Sequence, residues 1–129
     1  MKRRNFIRNS ALGGLSLTIP MIRTFGNNFS PGYKIPRRIL GKTEEKLSII
    51  GFGGIMLNDN PQNFANELVS KAYELGVNYY DVAPTYGNAE NRLGPALRSY
   101  RKSCFLACKT HERTAEGAQK DLNNSLNNL

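Results

Sequence analysis

Between residues 61 and 75 the apolar positions Phe64, Leu68, Ala72 and Leu75 return at three- and four-residue intervals, with Val69 beside them. That spacing is one buried face of a helix. Asn60 is placed to cap it, Pro61 suits the first helical position, and Gly76 supplies a C-terminal stop. The stretch 77–83 is β-prone and ends at Pro84. Residues 90–100 predict a second helix with Leu93, Leu97 and Tyr100 inward, and 104–107 a buried strand. Thr114 is a cap for a third helix, in which Ala115, Ala118, Leu122, Leu126 and Leu129 fall on one apolar face. Upstream, the runs 37–43 and 47–50 flank the polar turn Glu44-Glu45-Lys46 and predict a β-hairpin leading into a glycine corner at 51–54.

A hairpin followed by three strand–helix units requires a parallel sheet with right-handed crossovers. The strand centres fall near Ile50, Tyr80 and Leu106. The fold class is therefore α/β, and the pattern reads as the N-terminal three βα units of a TIM (β/α)8 barrel with a preceding β-hairpin. Eight such units need about 250 residues, and a sheet stopped at three would leave its edges open. The chain accordingly reads as an incomplete barrel, a fragment of a larger fold. A dinucleotide-binding Rossmann unit is the nearest competitor. Its fingerprint needs a third glycine where Ile55 and Met56 stand, and an acid about 20 residues on; the acid here, Asp81, comes much later.

Of 129 residues, 40% are hydrophobic and 9% aromatic, enough for one ordinary core and unlike a disordered or disulfide-dense chain. The net charge of +8 is concentrated at one end. Lys2, Arg3, Arg4, Arg8 and Arg23 precede the first acidic residue, Glu44, and the chain after residue 26 keeps 13 basic against 10 acidic side chains. No basic stripe interleaved with aromatics remains, so the electrostatic footprint of a nucleic-acid binder is missing. The paired arginines, followed by Phe6-Ile7 and the short apolar stretch 11–22, resemble a twin-arginine export signal over residues 1–26, with Thr24 and Gly26 as small residues before a cut. The apolar stretch is too short and too glycine-rich for a stable membrane span. Residues 27–36, rich in Asn, Ser, Gly and Pro, read as a linker to a domain at 37–129. The expected location is the periplasm or cell envelope, reached through the twin-arginine machinery, with the cytoplasm as the alternative. Cys104 and Cys108, four residues apart along a strand, sit about 13 Å from each other, too far for a disulfide. Their spacing fits no zinc motif, no metal site is expected, and both read as small buried apolar residues.

The chemistry concentrates just after the strands, the edge where barrel enzymes assemble their sites. Gly51-Phe52-Gly53-Gly54 follows the first, Asp81 to Gly87 the second, and Lys109-Thr110-His111 the third. Any one of these residues alone is ordinarily a solvated loop side chain. Together, Asp81, Tyr86 and Lys109 form a proton-transfer group: an ammonium beside a phenol favours its ionised form, and a carboxylate holds the ammonium in place and charged.

The run Tyr80-Asp81-Val82-Ala83-Pro84-Thr85-Tyr86-Gly87-Asn88-Ala89-Glu90-Asn91-Arg92-Leu93-Gly94 resembles the aldo-keto reductase signature, D-x-A-x-x-Y-G followed by E-x-x-L-G. The resemblance extends over residues 37–129, from the hairpin to Lys109. It implies NADP- or NAD-dependent reduction of an aldehyde or ketone. Tyr86 would be the general acid, Lys109 its activating partner and Asp81 the carboxylate that orients the lysine. Gly53 and Gly54 would lie against the nicotinamide, with Asp81 also among the cofactor contacts, and the hairpin would close the bottom of the barrel. A folded passenger can carry a cofactor loaded before export, which suits the twin-arginine reading. The family's fourth catalytic residue is a histidine at the end of the fourth strand. His111 follows the third strand and is given no such role. The family's main adenosine-phosphate contacts also come from later strands, so this chain alone is expected neither to bind the cofactor tightly nor to turn over. A barrel kept as a non-catalytic exported binding module is the alternative; Asp81, Tyr86 and Lys109 standing together argue against it.

Overall fold

The computed structural model describes residues 32–129. The export-signal reading of residues 1–26 and the first part of the linker lie outside the described residues. Strand β1 (Arg37–Ile39) pairs antiparallel with β2 (Lys46–Ser48), Arg37 opposite Ser48, and forms the expected hairpin. A separate three-stranded parallel sheet follows in the order β3 (Phe52–Gly53), β4 (Tyr79–Asp81), β5 (Phe105–Ala107). Helix α1 (Gln62–Glu74) joins β3 to β4, α2 (Ala89–Leu97) joins β4 to β5, and α3 (Ala115–Asn128) follows β5. This is the βαβαβα order that the hydrophobic pattern predicts.

The first parallel strand lies further along than expected. Ile49 and Ile50, placed by the sequence at a strand centre, are 51% and 57% exposed. The ladder begins at Phe52, inside the stretch read as a glycine corner. Hydrogen bonding explains the shift. Ser48 accepts the Asn78 N–H at Oγ (3.2 Å) and donates to the Ile50 carbonyl (2.7 Å), so the chain turns there instead of continuing as a strand. Asn78 completes the clasp. Its Oδ1 accepts the Ser48 N–H at 2.7 Å, and its Nδ2 donates to the Lys46 carbonyl at 2.9 Å. Both residues are buried, at 7% and 5% exposure. The clasp therefore satisfies backbone groups that water cannot reach. It ties the hairpin to the start of β4, and the linker end joins the same region through Ile35 N–H to the Leu75 carbonyl at 2.8 Å.

The core lies between the parallel sheet and helices α1 and α2. Leu57, Val69, Tyr80, Val82, Leu93 and Leu97 are fully buried in it. Alternation along β4 sends Tyr80 and Val82 to this face and leaves Asp81 for the other. The Tyr80 ring tilts against Phe52, centroids 5.3 Å apart. Its hydroxyl has no hydrogen-bond partner among the described residues, and burial pushes the phenol well above its ordinary range. Burying the ring contributes several kcal/mol at about 25 cal/mol per Å², which outweighs the cost of about 1–3 kcal/mol for one unpaired hydroxyl.

Helix ends and faces depart from the sequence reading in four places. Asn60 does not cap α1. Its amide donates to the Met56 and Asn58 carbonyls and closes the preceding 3-10 turn, Gly54–Leu57, so Pro61 occupies the cap position. The buried face of α1 is rotated onto Ala65 and Val69, leaving Phe64 39% exposed. Helix α2 stops at Leu97, and Tyr100 lies beyond it, stacked on Tyr73 at 4.2 Å and hydrogen-bonded to Ser70. In α3 the Thr114 cap forms as expected, with Oγ1 accepting the Gly117 N–H. The predicted apolar face turns inward only at its end, however, where Leu129 packs against the core. Leu122 and Leu126 are 46% and 65% exposed, while Ser125 is buried. Polar groups of α2 hold α3 instead, and at Gly94 a Cβ would fall 1.9 Å from the Asn128 carbonyl oxygen.

Two substitutions test this packing in the whole protein. Asn78→Ala strands buried backbone groups of the hairpin and should cost about 2 kcal/mol in denaturant unfolding; a loss below about 0.5 kcal/mol would remove the clasp from the account. Tyr80→Phe deletes only the unpaired hydroxyl and should leave the unfolding free energy unchanged or higher by about 1 kcal/mol.

Candidate active site

Parallel strands end on the same side of a sheet, so the residues that follow them share one edge. The register sharpens this. Gly53 pairs with Asp81 and Asp81 with Ala107, so the last residues of β3, β4 and β5 form a single row. Asp81 ends β4, Tyr86 lies in the turn that opens α2, and Lys109 stands two residues past β5.

The structure brings these three side chains together. Lys109 Nζ forms an ion pair with Asp81 Oδ1 and donates to the Val82 carbonyl at 3.4 Å. The same ammonium lies 5.0 Å from the centroid of the Tyr86 ring, within cation–π reach. Partial burial pulls the Lys109 ammonium down, but hydrogen bonding and charge from Asp81, then Tyr86, outweigh it and hold the group above its ordinary 10.5. The pair is well solvated, with side-chain exposures of 41% and 32%. It therefore contributes no more than about 1 kcal/mol to stability, and its importance is geometric.

The glycines differ in what they face. Gly54 is buried, and a Cβ there would meet the Asp81 carbonyl oxygen and Val82 Cγ2, each at 2.9 Å. Its missing side chain lets β3 close against the end of β4. Gly53 is exposed, and a Cβ there would touch nothing nearer than Ile55 Cγ2 at 4.0 Å. A bare stretch of backbone therefore stands in the row beside Asp81. His111 is an exposed residue of the loop between β5 and α3. Among the described residues no cluster of His, Cys, Asp and Glu is arranged to hold a metal ion.

Sequence reasoning missed what holds the Tyr86 turn. Asn88 Oδ1 accepts the Asp59 N–H at 2.9 Å, and Asn58 Oδ1 accepts the Asn88 N–H at 3.3 Å. This reciprocal lock fastens the loop after β3 to the loop after β4. Gly87 makes it sterically feasible: its φ is +58°, and a Cβ would lie 2.0 Å from Asn58 Oδ1. Loop asparagines next to a glycine are too common to flag such a lock in advance. Glu90 stands in the E-x-x-L-G stretch, but the sequence reading gave it no role. It is buried in α2 and accepts hydrogen bonds from Ser125 and Asn128 of α3. Cys104 is a buried free thiol, as expected, but Cys108 is only half-buried and joins the Ser125–Glu90 network. Its neighbours are polar because the side chain leaves the strand at the rim of the core.

Comparison with known proteins places the chain in a family. The model of the Aldo/keto reductase family matches residues 49–129. L-galactose dehydrogenase of Arabidopsis thaliana is 32% identical over 111 residues, covering 74% of this chain and 35% of that protein. An uncharacterised oxidoreductase of Bacillus subtilis (strain 168), YqkF, is 33% identical over 85 residues, covering 64% and 28%. Two solved structures from Pseudomonas aeruginosa with an aldo-keto reductase designation superpose with TM-scores of 0.69 and 0.70 at 29% and 30% identity, covering 76% and 75% of this chain and 44% and 43% of theirs. The chain thus spans about a third of the length of the curated relatives it matches. Its strands, helices and row of strand ends are those of an incomplete barrel, and the chain belongs to the aldo/keto reductase family.

Proposed function

We propose that the whole protein reduces an aldehyde or ketone with NADPH or NADH, and that this chain supplies the proton-delivery half of its active site. One observation carries the reading: a single ammonium, Lys109, reaches both a carboxylate, Asp81, and the ring of Tyr86. The nicotinamide, when bound, supplies the hydride. The open backbone at Gly53, in line with Asp81, fits a flat ring laid on that row, and Gly54 supports it by keeping β3 tight against β4. Asp81 borders the same surface.

The chain's own residues then divide the work. Tyr86 donates its hydroxyl proton to the carbonyl oxygen as the carbonyl carbon accepts hydride, and the product is an alcohol. Lys109 stabilises the negative charge left on the Tyr86 oxygen without leaving its ion pair. Asp81 keeps Lys109 charged and aimed, so no reorganisation is needed during the step. The same atoms run in reverse would oxidise a hydroxyl group, the direction named for the L-galactose dehydrogenase relative. The proposal also places the protein in the periplasm or cell envelope, exported by the twin-arginine route. Its support there is the basic, arginine-paired stretch 1–26.

Replacing the acid is the direct test. In the whole protein, Tyr86→Phe should lower kcat for carbonyl reduction at least about 100-fold while the cofactor Kd, read by fluorescence titration, stays within about twofold. Activity retained within a few-fold removes Tyr86 from the proton step. Asp81→Asn tests the lysine. Because the folded state raises the Lys109 value, the ion pair is complete below the ordinary lysine range and is lost as pH climbs through the folded value. Asp81→Asn should shift the Lys109 titration, followed by NMR of the labelled side chain, to lower pH, and the alkaline fall in kcat should shift with it. An unmoved titration would show that Asp81 does not govern Lys109.

A further inference from the structure

Cys108 and Lys109, the two residues just past β5, make their contacts on different sides of the chain. Lys109 reaches the site. Cys108 turns to the helix layer, where its thiol donates to Ser125 Oγ at 3.1 Å, and Ser125 Oγ in turn donates to Glu90 Oε1 at 2.7 Å. The thiol also lies 3.6 Å from Glu90 Oε1 itself. Asn128 Nδ2 donates to the other carboxylate oxygen at 3.1 Å. Glu90 is 4% exposed and has no cationic partner among the described residues. A buried carboxylate is costly unless its oxygens are hydrogen-bonded, and it gains here from standing in the first turn of α2, where the helix dipole favours negative charge. A link between two helices alone would be made more cheaply by apolar contact. This one includes the side chain that directly precedes the lysine of the site.

We propose that Glu90 is a positioning residue for Lys109: through Ser125 and Cys108 it holds the end of β5 from behind the sheet, at the level where the ammonium meets Asp81 and Tyr86. This rests on the reading of Tyr86 and Lys109 as the proton-delivery pair. No proton passes through Glu90, and it touches neither substrate nor cofactor. Its effect is on where the Lys109 backbone stands. A displacement of about 1 Å at such a position is enough to reduce turnover substantially.

The experiment uses the whole protein with Glu90→Ala, Cys108→Val and Cys108→Ser. Four quantities are read: kcat for an aldehyde substrate, cofactor Kd, the Lys109 titration by NMR, and the unfolding midpoint. Glu90→Ala should reduce kcat about tenfold or more and shift the Lys109 titration to lower pH as the ion pair with Asp81 loosens, with cofactor Kd within about twofold. Cys108→Val, which keeps volume but removes the donor, should move kcat and the titration in the same direction. Cys108→Ser retains a donor and should restore both. If Glu90→Ala does not fold, the contrast between Cys108→Val and Cys108→Ser decides. A lowered unfolding midpoint with unchanged kcat and unchanged Lys109 titration overturns the proposal and leaves Glu90 a helix-to-helix tie. Absence of carbonyl reduction in the unsubstituted protein would instead refute the reductase reading, and the Lys109 titration would still judge Glu90.

Discussion

The parallel ladder sets Gly53, Asp81 and Ala107 in one row, and the meeting of Lys109 with Asp81 depends on that register. A one-residue slip of β4 would turn Asp81 into the helix layer and bring Tyr80 to the working face. Lys109 would then lose its carboxylate, and an ammonium above an aromatic ring alone is a weaker and less directional arrangement. What prevents the slip is the burial of Tyr80 and Val82 on the core side. The hydrophobic effect thus selects the register, and the ion pair inherits its geometry without contributing much stability.

Polar contacts do a different kind of work. The Asn78–Ser48 clasp at the base, the Asn58–Asn88 lock between the loops and the Glu90–Ser125–Cys108 network behind β5 each join segments about 17 to 35 residues apart in the chain. The clasp and the Glu90 network satisfy groups at the edge of the core, where apolar packing thins out and water cannot fully replace a partner, while the loop lock is more exposed. Directional bonds at those edges define positions that packing alone would leave loose. The Tyr86 turn, held by the loop lock, is one of them.

α3 shows the same division from the other side. It is attached to α2 by Glu90, Asn91 and Gly94, while Leu122 and Leu126 face solvent among the described residues. The groove of about 310 Å³ beside Lys109, lined by Ala118 and Leu122, lies on this side of the helix and does not include Asp81 or Tyr86 in its walls. Asp81, Tyr86 and Lys109 meet instead at the open edge of the sheet.

Much of this was legible in the chain alone. Periodicity of 3.6 marked three helices, β-prone runs between them marked the strands, and the run 80–94 together with Lys109 after the third strand marked Asp81, Tyr86 and Lys109 as a group, because motif spacing and strand order are one-dimensional properties. The helix faces were only partly legible. Phe64, Leu122 and Leu126 have the right spacing for burial, but spacing cannot say which side of a helix meets its neighbour; in the fold Ala65 and Ser125 are the buried positions. The start of the first parallel strand, the misread Asn60 cap and the polar roles of Asn58, Asn88, Glu90 and Cys108 came from tertiary structure alone. Hydrogen bonds between residues distant in sequence leave no local pattern, since each partner is an ordinary polar residue until the fold brings the other within 3 Å or so.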